Sequence, residues 1–294
     1  MCEGAGRTHA GQAVSPAANI VVEENIMHVG KSIRIERLID RNTHKTIIVP
    51  MDHGVTVGPL AGLENMAKAV DEVAEGGANA VLGHKGLPRC GHRKGGRDVG
   101  LVMHLSSATD LSPAPNRKTL TASVEDAIRY GADGVSIHVN LGDPYEMEML
   151  ADFGRVAHDA ESWGMPLLAM IYGRGPKIAN SFAPETVAHC ARVGAELGAD
   201  MVKVAYTGDM DSFSYVVESC CVPVLIAGGP LAETDREFLQ MVSDAMKAGA
   251  AGVSVGRNIF QHSSPRRLVS ALAAIVHKGV DVDQAMQIIG ETQA

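Results

Sequence analysis

The sequence lacks the features that would assign it to a membrane or to a disulfide framework. No apolar segment approaches the ~18 consecutive residues that a membrane-spanning helix needs, and the first eighteen residues contain no apolar core of a secretory signal. Only five cysteines occur in 294 residues, and no two of them form a Cys-x-x-Cys pair. We therefore expect a cytoplasmic protein in a reducing compartment, with no membrane as partner.

The sequence also lacks an excess of positive charge and the motifs of common cofactor and metal sites. Its formal net charge is −8 at pH 7, which argues against nucleic acid as a partner, although a local basic pocket for one phosphate is compatible with this charge. No G-x-G-x-x-G motif follows the first predicted strand, and no His-x-His or His-Glu-x-x-His spacing occurs. We therefore predict no cofactor and no metal.

Short β-rich runs alternate with helical patterns along the chain, which predicts βαβ units and a parallel sheet. The predicted strands are residues 46–51, 80–83, 101–105, 134–139, 166–171, 201–206, 223–227 and 252–255. The predicted helices are residues 63–75, 123–130, 144–162, 184–197, 234–247 and 265–276.

A repeated Gly-Ala-x triplet supports closure of this sheet into a barrel. The triplet begins at Gly77, Gly131, Gly198 and Gly249, each time between a predicted helix and a predicted strand, where glycine supplies the left-handed residue that ends a helix. Eight strands joined by helices predict an α/β fold with a single (β/α)8 TIM barrel over residues 26–294, after a short flexible tail at residues 1–25. An open doubly wound sheet is the alternative.

In such a barrel, active residues lie at the carboxyl ends of the strands and in the loops that follow, a region that we call the mouth. Lys203 interrupts the apolar run Met-Val-Lys-Val of a predicted strand. A lysine inside a barrel strand is costly to bury unless it is paired or used, and burial favours the neutral amine that attacks a carbonyl. We predict a catalytic amine at Lys203, with a structural ion pair as the alternative.

Asp52 and Tyr172 are predicted to exchange protons near Lys203. Asp52 directly follows the first predicted strand, and Tyr172 ends the strand that precedes the strand of Lys203. A carboxylate can shuttle protons, and a phenol can give and take a proton at the reacting oxygen. The alternatives are a loop cap or a partner of Lys203 for Asp52, and a core aromatic with a hydrogen-bonded hydroxyl for Tyr172.

Two glycine-rich loops follow the last two predicted strands. One contains Gly228 and Gly229, and the other contains Gly256 beside Arg257. Glycine lets backbone N–H groups approach an anion, and arginine adds a charged fork in a region where barrels often bind phosphate. We predict a phosphate site here, with tight turns alone as the alternative.

Four histidines reach the predicted mouth, namely His53, His84, His104 and His138. Three histidines with an open position would suit a zinc-dependent aldolase or hydrolase. Because ligand spacing is missing, we favour substrate binding or loop support, with substrate contacts predicted for His53, His84 and His104. Lys85 and Arg174 lie in neighbouring loops and are further candidates for substrate binding.

Six motifs occur in one order along the chain: MDHG from Met51, HKG from His84, MIYGRG from Met170, VKVAYTGD from Val202, AGGP from Ala227 and VGRNIFQ from Val255. In this order they resemble the class I (Schiff-base) aldolases of the archaeal fructose-bisphosphate aldolase group. The resemblance extends in particular to the 2-amino-3,7-dideoxy-D-threo-hept-6-ulosonate synthases and the 2-amino-4,5-dihydroxy-6-oxo-7-(phosphonooxy)heptanoate synthases. It runs from about Thr46 to about Val276.

The resemblance implies a Schiff base on Lys203, an acid/base role for Tyr172 and a catalytic role for Asp52. It also implies L-aspartate 4-semialdehyde as acceptor, a phosphorylated ketose as donor, no cofactor and a large homo-oligomer. Some family members use a deoxy-keto-hexose phosphate in an early aromatic (dehydroquinate) pathway, and others use dihydroxyacetone phosphate for aminohydroxybenzoate formation in secondary metabolism. Fructose-bisphosphate aldolase and a sugar-phosphate-binding regulator without turnover are further alternatives; the presence of all three catalytic candidates argues against the regulator.

Two departures from the family pattern bear on the donor. Val204-Ala205 stand where Thr-Asn is expected, and Gly173 stands where proline is usual. Strand alternation predicts that Ala205 faces the same side as Lys203, so an amide that could contact the donor is missing. This favours dihydroxyacetone phosphate.

Overall fold

The computed structural model describes residues 29–91 and 93–290 of the chain. Within them the strands are β1 (Thr46–Pro50), β2 (Ala80–Gly83), β3 (Gly100–His104), β4 (Ser106–Ser107), β5 (Thr119–Leu120), β6 (Gly134–Leu141), β7 (Leu167–Gly173), β8 (Met201–Val204), β9 (Val224–Ala227) and β10 (Gly252–Ser254). The helices are α1 (Val29–Leu38), α2 (His53–Val57), α3 (Met66–Gly76), α4 (Gly86–Gly91), α5 (Val124–Arg129), α6 (Glu146–Ser162), α7 (Pro184–Glu196), α8 (Met210–Glu218), α9 (Asp235–Lys247), α10 (Arg257–Phe260), α11 (Pro265–Lys278) and α12 (Val282–Gly290).

Eight of these strands pair in parallel and close into a barrel in the order β1-β2-β3-β6-β7-β8-β9-β10. The ring closes between β10 and β1, where Thr46 pairs with Gly252. Helices lie between the strands, so the predicted (β/α)8 barrel is confirmed. The short strands β4 and β5 pair with each other in the connection between β3 and β6. The predicted tail at residues 1–25 lies outside the described part of the chain.

The strands bury two apolar layers, because successive side chains point to opposite faces. Ile48, Met170 and Leu225 belong to the layer inside the barrel, whereas Val49 and Val202 pack in the layer between the barrel and the helices. Helix α1 was not predicted. Its last residue, Leu38, joins the inner layer, and a Cβ at Gly134 of β6 would lie only 2.9 Å from the Leu38 side chain. A glycine in the strand thus lets α1 approach the barrel closely.

The Gly-Ala-x triplets end helices as predicted. Gly77, Gly131, Gly198 and Gly249 have φ values of 108°, 71°, 97° and 98°, a region that residues with a Cβ rarely adopt. Helices α2, α4, α8, α10 and α12 were not predicted. Three of them have only four to six residues, which is too short for a helical period to show in the sequence.

Two strand ends differ from the prediction in ways that matter for the site. Strand β7 continues to Gly173 and therefore includes Tyr172. Strand β8 ends at Val204, so regular alternation does not reach Ala205, which packs against the layer between barrel and helices. The expectation that Ala205 shares the face of Lys203 was therefore wrong. In the described part of the chain, no helix has the length and apolar character to span a bilayer.

Candidate active site

Lys203 lies in the centre of strand β8, where its backbone pairs in register with Met170 of β7 and Leu225 of β9. Both partners belong to the layer inside the barrel, and the lysine itself is only 7% exposed. Its amine forms no hydrogen bond or ion pair with any other described residue. The structural ion pair considered from the sequence is therefore not present among these residues.

Burial sets the protonation of Lys203. It lowers the pKa of the amine to about 8, although the negative charge of Asp52 opposes the shift. Neutral amine is therefore well populated close to physiological pH, and only the neutral form has the lone pair that attacks a carbonyl. A buried lysine that has a lowered pKa and no partner among the described residues has the properties of an imine-forming nucleophile.

Asp52 follows β1 directly and precedes helix α2, but its side chain makes no hydrogen bond that caps this helix. Its two carboxylate oxygens instead point toward histidines: Oδ2 lies 3.9 Å from Nε2 of His104, and Oδ1 lies 3.5 Å from Nδ1 of His53. Burial alone would raise the pKa of the Asp52 carboxyl, but His104, His53 and Lys203 around it keep that pKa below its usual value. The mouth therefore holds a fixed negative charge.

Two of the histidines around Asp52, His104 and His84, are held by other polar groups rather than by one another's ring nitrogens. His104 hydrogen-bonds Ser136 Oγ through Nδ1 at 2.8 Å, and burial lowers the pKa of His104 to about 3. His84 uses its Nδ1 on the backbone carbonyl of His104 at 3.2 Å. The described residues contain no group of three or more His, Cys, Asp or Glu side chains arranged to hold a metal ion, so these histidines do not converge on one point.

Tyr172 lies two residues beyond Met170, the register partner of Lys203, and packs against the inner layer. It is therefore on the same face of the barrel as the lysine, one step closer to the mouth. The ring of His138 meets it edge-on at 5.1 Å, and the Arg174 guanidinium stacks over it at 4.9 Å. Burial raises the pKa of the Tyr172 phenol, against the effect of Arg174, so the hydroxyl stays protonated at neutral pH.

The two glycine loops meet across the ends of β9 and β10. The Asn258 side chain donates to the carbonyls of Gly228 and Pro230 at 3.0 and 3.1 Å, and Arg257 donates to the carbonyl of Gly229 at 3.3 Å. Position 256 requires glycine, because a Cβ there would lie 2.6 Å from the Pro50 carbonyl oxygen. The loops therefore form one joined surface beside β8.

Residues 46–262 of the chain match the family model described as DeoC/LacD family aldolase. The chain belongs to this family. It is 42% identical over 262 residues to a 2-amino-3,7-dideoxy-D-threo-hept-6-ulosonate synthase of Halobacterium salinarum, covering 89% of this chain and 97% of that protein. It is 39% identical over 247 residues to a 2-amino-4,5-dihydroxy-6-oxo-7-(phosphonooxy)heptanoate synthase of Streptomyces griseus, covering 84% of this chain and 90% of that protein.

A solved structure of an archaeal fructose-1,6-bisphosphate aldolase is similar to the whole barrel. In that protein the catalytic lysine is covalently bound to the carbinolamine intermediate of the substrate. The TM-score is 0.76 at 33% identity, covering 84% of this chain and 99% of that one. The resemblance stated from the motifs is thus confirmed, and the chain is a class I aldolase.

The structure brings most of the predicted residues to the mouth, although not around one point. Asp52, His53 and His104 are close together, and Gly228, Gly229, Gly256 and Arg257 form the joined loops. Lys85 points toward α5 instead, where its Nζ lies 3.4 Å from Asp126 Oδ2. A cavity of about 440 Å³ opens beside Asp52 and His84 and is lined mainly by apolar side chains.

Several polar residues at the mouth were not assigned a role from the sequence. Asn140, which is fully buried in β6, accepts from His138 at 2.9 Å and donates to the Asn116 carbonyl at 2.6 Å. Asn258 joins the glycine loops, and Lys118 is buried in the connection between β4 and β5. For Asn140 the available signal was a polar residue that interrupts an apolar run, whereas Lys118 lies in a polar stretch and gives no such signal. That signal does not say which residues meet.

Proposed function

We propose that Lys203 forms a Schiff base with a phosphorylated keto donor, preferably dihydroxyacetone phosphate, and that the resulting enamine adds to L-aspartate 4-semialdehyde. The product is a seven-carbon amino acid phosphate, a precursor of aminohydroxybenzoate-type aromatics. The observation that carries this proposal is the buried amine of Lys203, which pairs with no other described residue and has a pKa of about 8. An amine in that state is set for imine chemistry rather than for an ion pair.

The names of the two relatives support the acceptor. In the 2-amino-4,5-dihydroxy-6-oxo-7-(phosphonooxy)heptanoate of the Streptomyces griseus relative, cleavage between C4 and C5 gives a four-carbon 2-amino-acid aldehyde and a three-carbon phosphorylated ketone. The same cleavage of a 2-amino-3,7-dideoxyhept-6-ulosonate gives the same aldehyde and a three-carbon ketone. This ketone ends in a methyl group where the other ketone carries its phosphate ester. The two reactions therefore share an acceptor and differ at C7.

The position of the glycine loops supports dihydroxyacetone phosphate. Gly228 is three residues beyond Leu225, the register partner of Lys203 on β9, which is about 10 Å along a strand. When dihydroxyacetone phosphate is bound as an imine, the distance from the lysine backbone to the phosphate is of this order, because only one carbon separates the phosphate ester from the carbonyl carbon. A hexose-derived donor, with its phosphate at the far end of a longer chain, fits this spacing less well. The 42% identity to the ulosonate synthase keeps the deoxy-keto-hexose phosphate as the second candidate.

The residues at the mouth divide the proton transfers. The Lys203 amine attacks the donor carbonyl, and loss of water leaves an iminium; removal of a proton from the carbon next to it gives the enamine. We assign these proton transfers to Tyr172 and Asp52, the first protonated and the second ionised at neutral pH. The enamine carbon then bonds to the aldehyde carbon, the aldehyde oxygen takes a proton from the Tyr172 hydroxyl, and hydrolysis of the iminium frees the lysine.

The direct test is reduction with borohydride in the presence of each donor, followed by peptide mass analysis. Dihydroxyacetone phosphate is expected to label Lys203 more efficiently than the deoxy-keto-hexose phosphate, and Lys203→Met is expected to abolish labelling. Incubation with L-aspartate 4-semialdehyde is expected to yield the seven-carbon phosphate. Labelling of another residue, or no labelling by any phosphorylated ketone, would contradict the mechanism; preferential labelling by the hexose-derived donor would contradict the donor choice.

We also propose a large homo-oligomer, which the resemblance implies, and a cytoplasmic location, which the cysteine content favours. Sedimentation analysis of the full chain is expected to give a mass several times that of one subunit. A monomer at micromolar concentration would contradict this part of the proposal and leave the Schiff-base chemistry unaffected.

A further inference from the structure

Two cations, Lys118 and Arg174, lie on the side of Lys203 opposite the glycine loops, and neither forms an ion pair with a carboxylate of the described residues. In the barrel, β8 stands between β7 and β9. The glycine loop follows β9, whereas Arg174 directly follows β7. Lys118 belongs to the connection that ends at β5, and this connection contacts the end of β6 through the Asn116 carbonyl. The donor and the acceptor of a condensation need separate binding positions on either side of the reacting amine. The glycine loops are proposed for the donor, so Lys118 and Arg174 are candidates for the acceptor.

Lys118 is unusual because it is charged, only 8% exposed and poorly partnered. Its Nζ donates to one group, the Pro115 carbonyl at 3.1 Å, although an ammonium has three donors. Burial lowers the pKa of this amine and Arg174 lowers it further, while Asp110 and Asp52 oppose the shift from a distance. No carboxylate of the described residues forms an ion pair with Lys118. A buried cation left in this state is costly unless an anion arrives.

The connection that carries Lys118 is fixed to the catalytic side of the barrel. Asn140 of β6 donates to the Asn116 carbonyl at 2.6 Å and pairs in register with Tyr172 of β7. Arg174, which is exposed, stacks over the Tyr172 ring and likewise has no carboxylate partner in the described part of the chain. Arg174 is thereby held on the ring of the phenol that we assign to the aldehyde oxygen, and the connection that carries Lys118 is anchored to the strand beside that phenol.

We infer that Lys118 and Arg174 bind the anionic group of the aldehyde acceptor. This inference rests on the proposed aldol condensation. The four-carbon 2-amino-acid aldehyde carries a carboxylate three bonds from its reacting carbon, and a phosphorylated aldehyde presents a phosphate at a similar distance. An anion on these two cations places the aldehyde oxygen at Tyr172 and leaves the donor phosphate to the loops beyond β9. The natural anion is the carboxylate if L-aspartate 4-semialdehyde is the acceptor.

The test compares aldehydes with and without an anion, using dihydroxyacetone phosphate as donor. L-aspartate 4-semialdehyde and succinate semialdehyde carry a carboxylate, glyceraldehyde 3-phosphate carries a phosphate, and propanal carries no charge. Lys118→Met and Arg174→Met are expected to raise KM for the preferred anionic aldehyde roughly tenfold or more, the size of a lost charge-assisted hydrogen bond. KM for propanal and for the donor should stay unchanged, and Lys118→Arg should restore most of the affinity.

The neighbouring Arg117 provides a matched control. It is exposed and stacks over the Tyr145 ring at 4.6 Å, so Arg117→Met removes the same charge from the same connection without affecting the acceptor. An equal loss with propanal, a raised donor KM, or an unchanged KM for all anionic aldehydes would overturn the inference. Borohydride trapping separates the two proposals: wild type that fails to trap any donor refutes the aldolase proposal, whereas normal trapping with unaltered acceptor KM in both variants refutes the acceptor site alone.

Discussion

The side-chain amide of Asn258 donates to the backbone carbonyl of Gly228 at 3.0 Å, across a sequence separation of 30 residues. It also donates to Pro230 and accepts from the backbone N–H of Ala232 at 2.9 Å. Asn258 is therefore a positioning residue that fixes the shape of the proposed phosphate loops from the side, without itself being expected to touch the donor.

Asn258→Ala is expected to lower stability and to weaken donor binding. It leaves the carbonyls of Gly228 and Pro230 without these partners, a loss on the order of 1–3 kcal/mol for buried polar groups. Thermal unfolding and KM for dihydroxyacetone phosphate measure the two effects. Asp40→Ala, which removes the acceptor of the Asn42 and Thr43 backbone N–H groups in the turn before β1, at the end of the barrel opposite the mouth, should lower stability without changing KM. Equal KM values in both variants would show that the amide does not shape the donor site.

Arg257→Ala is expected to raise the donor KM, with a loss of about 2 kcal/mol for a charge-assisted contact to phosphate. Unphosphorylated dihydroxyacetone should react equally with both proteins, because it lacks the anion. Arg236→Ala is the control, since Arg236 is an exposed arginine of α9 that pairs with Asp283 instead. A donor KM that does not change in Arg257→Ala would refute this placement of the phosphate.

The pH dependence of kcat/KM is expected to report Lys203. Activity should rise with pH as the ammonium loses its proton and level off above about 8, the pKa of the buried amine. Asp52 raises that pKa, so Asp52→Asn should move the midpoint to lower pH while lowering the maximum rate. Asp211→Asn makes the same charge change on exposed α8 and should leave the midpoint in place. A midpoint that moves upward in Asp52→Asn would contradict the assignment.

Tyr172→Phe is expected to lower kcat by about 10²- to 10⁴-fold, the range for loss of a general acid or base. Tyr206→Phe is a matched control at the same edge of the barrel. The Tyr206 hydroxyl is buried with no hydrogen-bond partner among residues 29–91 and 93–290, so its removal should preserve both the rate and the melting temperature. Similar rates in Tyr172→Phe and wild type would remove the phenol from the mechanism.

Prolonged chelation is expected to leave the rate unchanged, because imine formation uses the Lys203 amine as its electrophile-activating group and needs no Lewis acid. The rate is compared before and after dialysis against a strong chelator. Loss of activity that zinc restores would favour the histidine-based alternative over the Schiff base.

The local sequence was sufficient for the barrel and for the residues that lie along its strands. Apolar runs and Gly-Ala-x triplets specify strands and helix ends through periodicity and through the backbone freedom of glycine, so eight strands could be placed from the sequence. Lys203 was recognisable from the same pattern, because burying a charged side chain inside an apolar run costs free energy. The glycine loops and Tyr172 followed once the strands were known.

Only the tertiary structure decided which side chains meet. Lys118 is far from the strand of Arg174 in the chain, and nothing in its own neighbourhood distinguishes it from an exposed loop lysine; its burial depends on Asn140 holding the connection against β6. The side that Ala205 faces depends on where the pairing of β8 with β9 stops. The sequence of β8 alone does not show where this pairing stops. Contacts of this kind arise because the closed barrel brings segments that are distant in the sequence to its mouth. Local periodicity in the sequence does not show which of these segments meet.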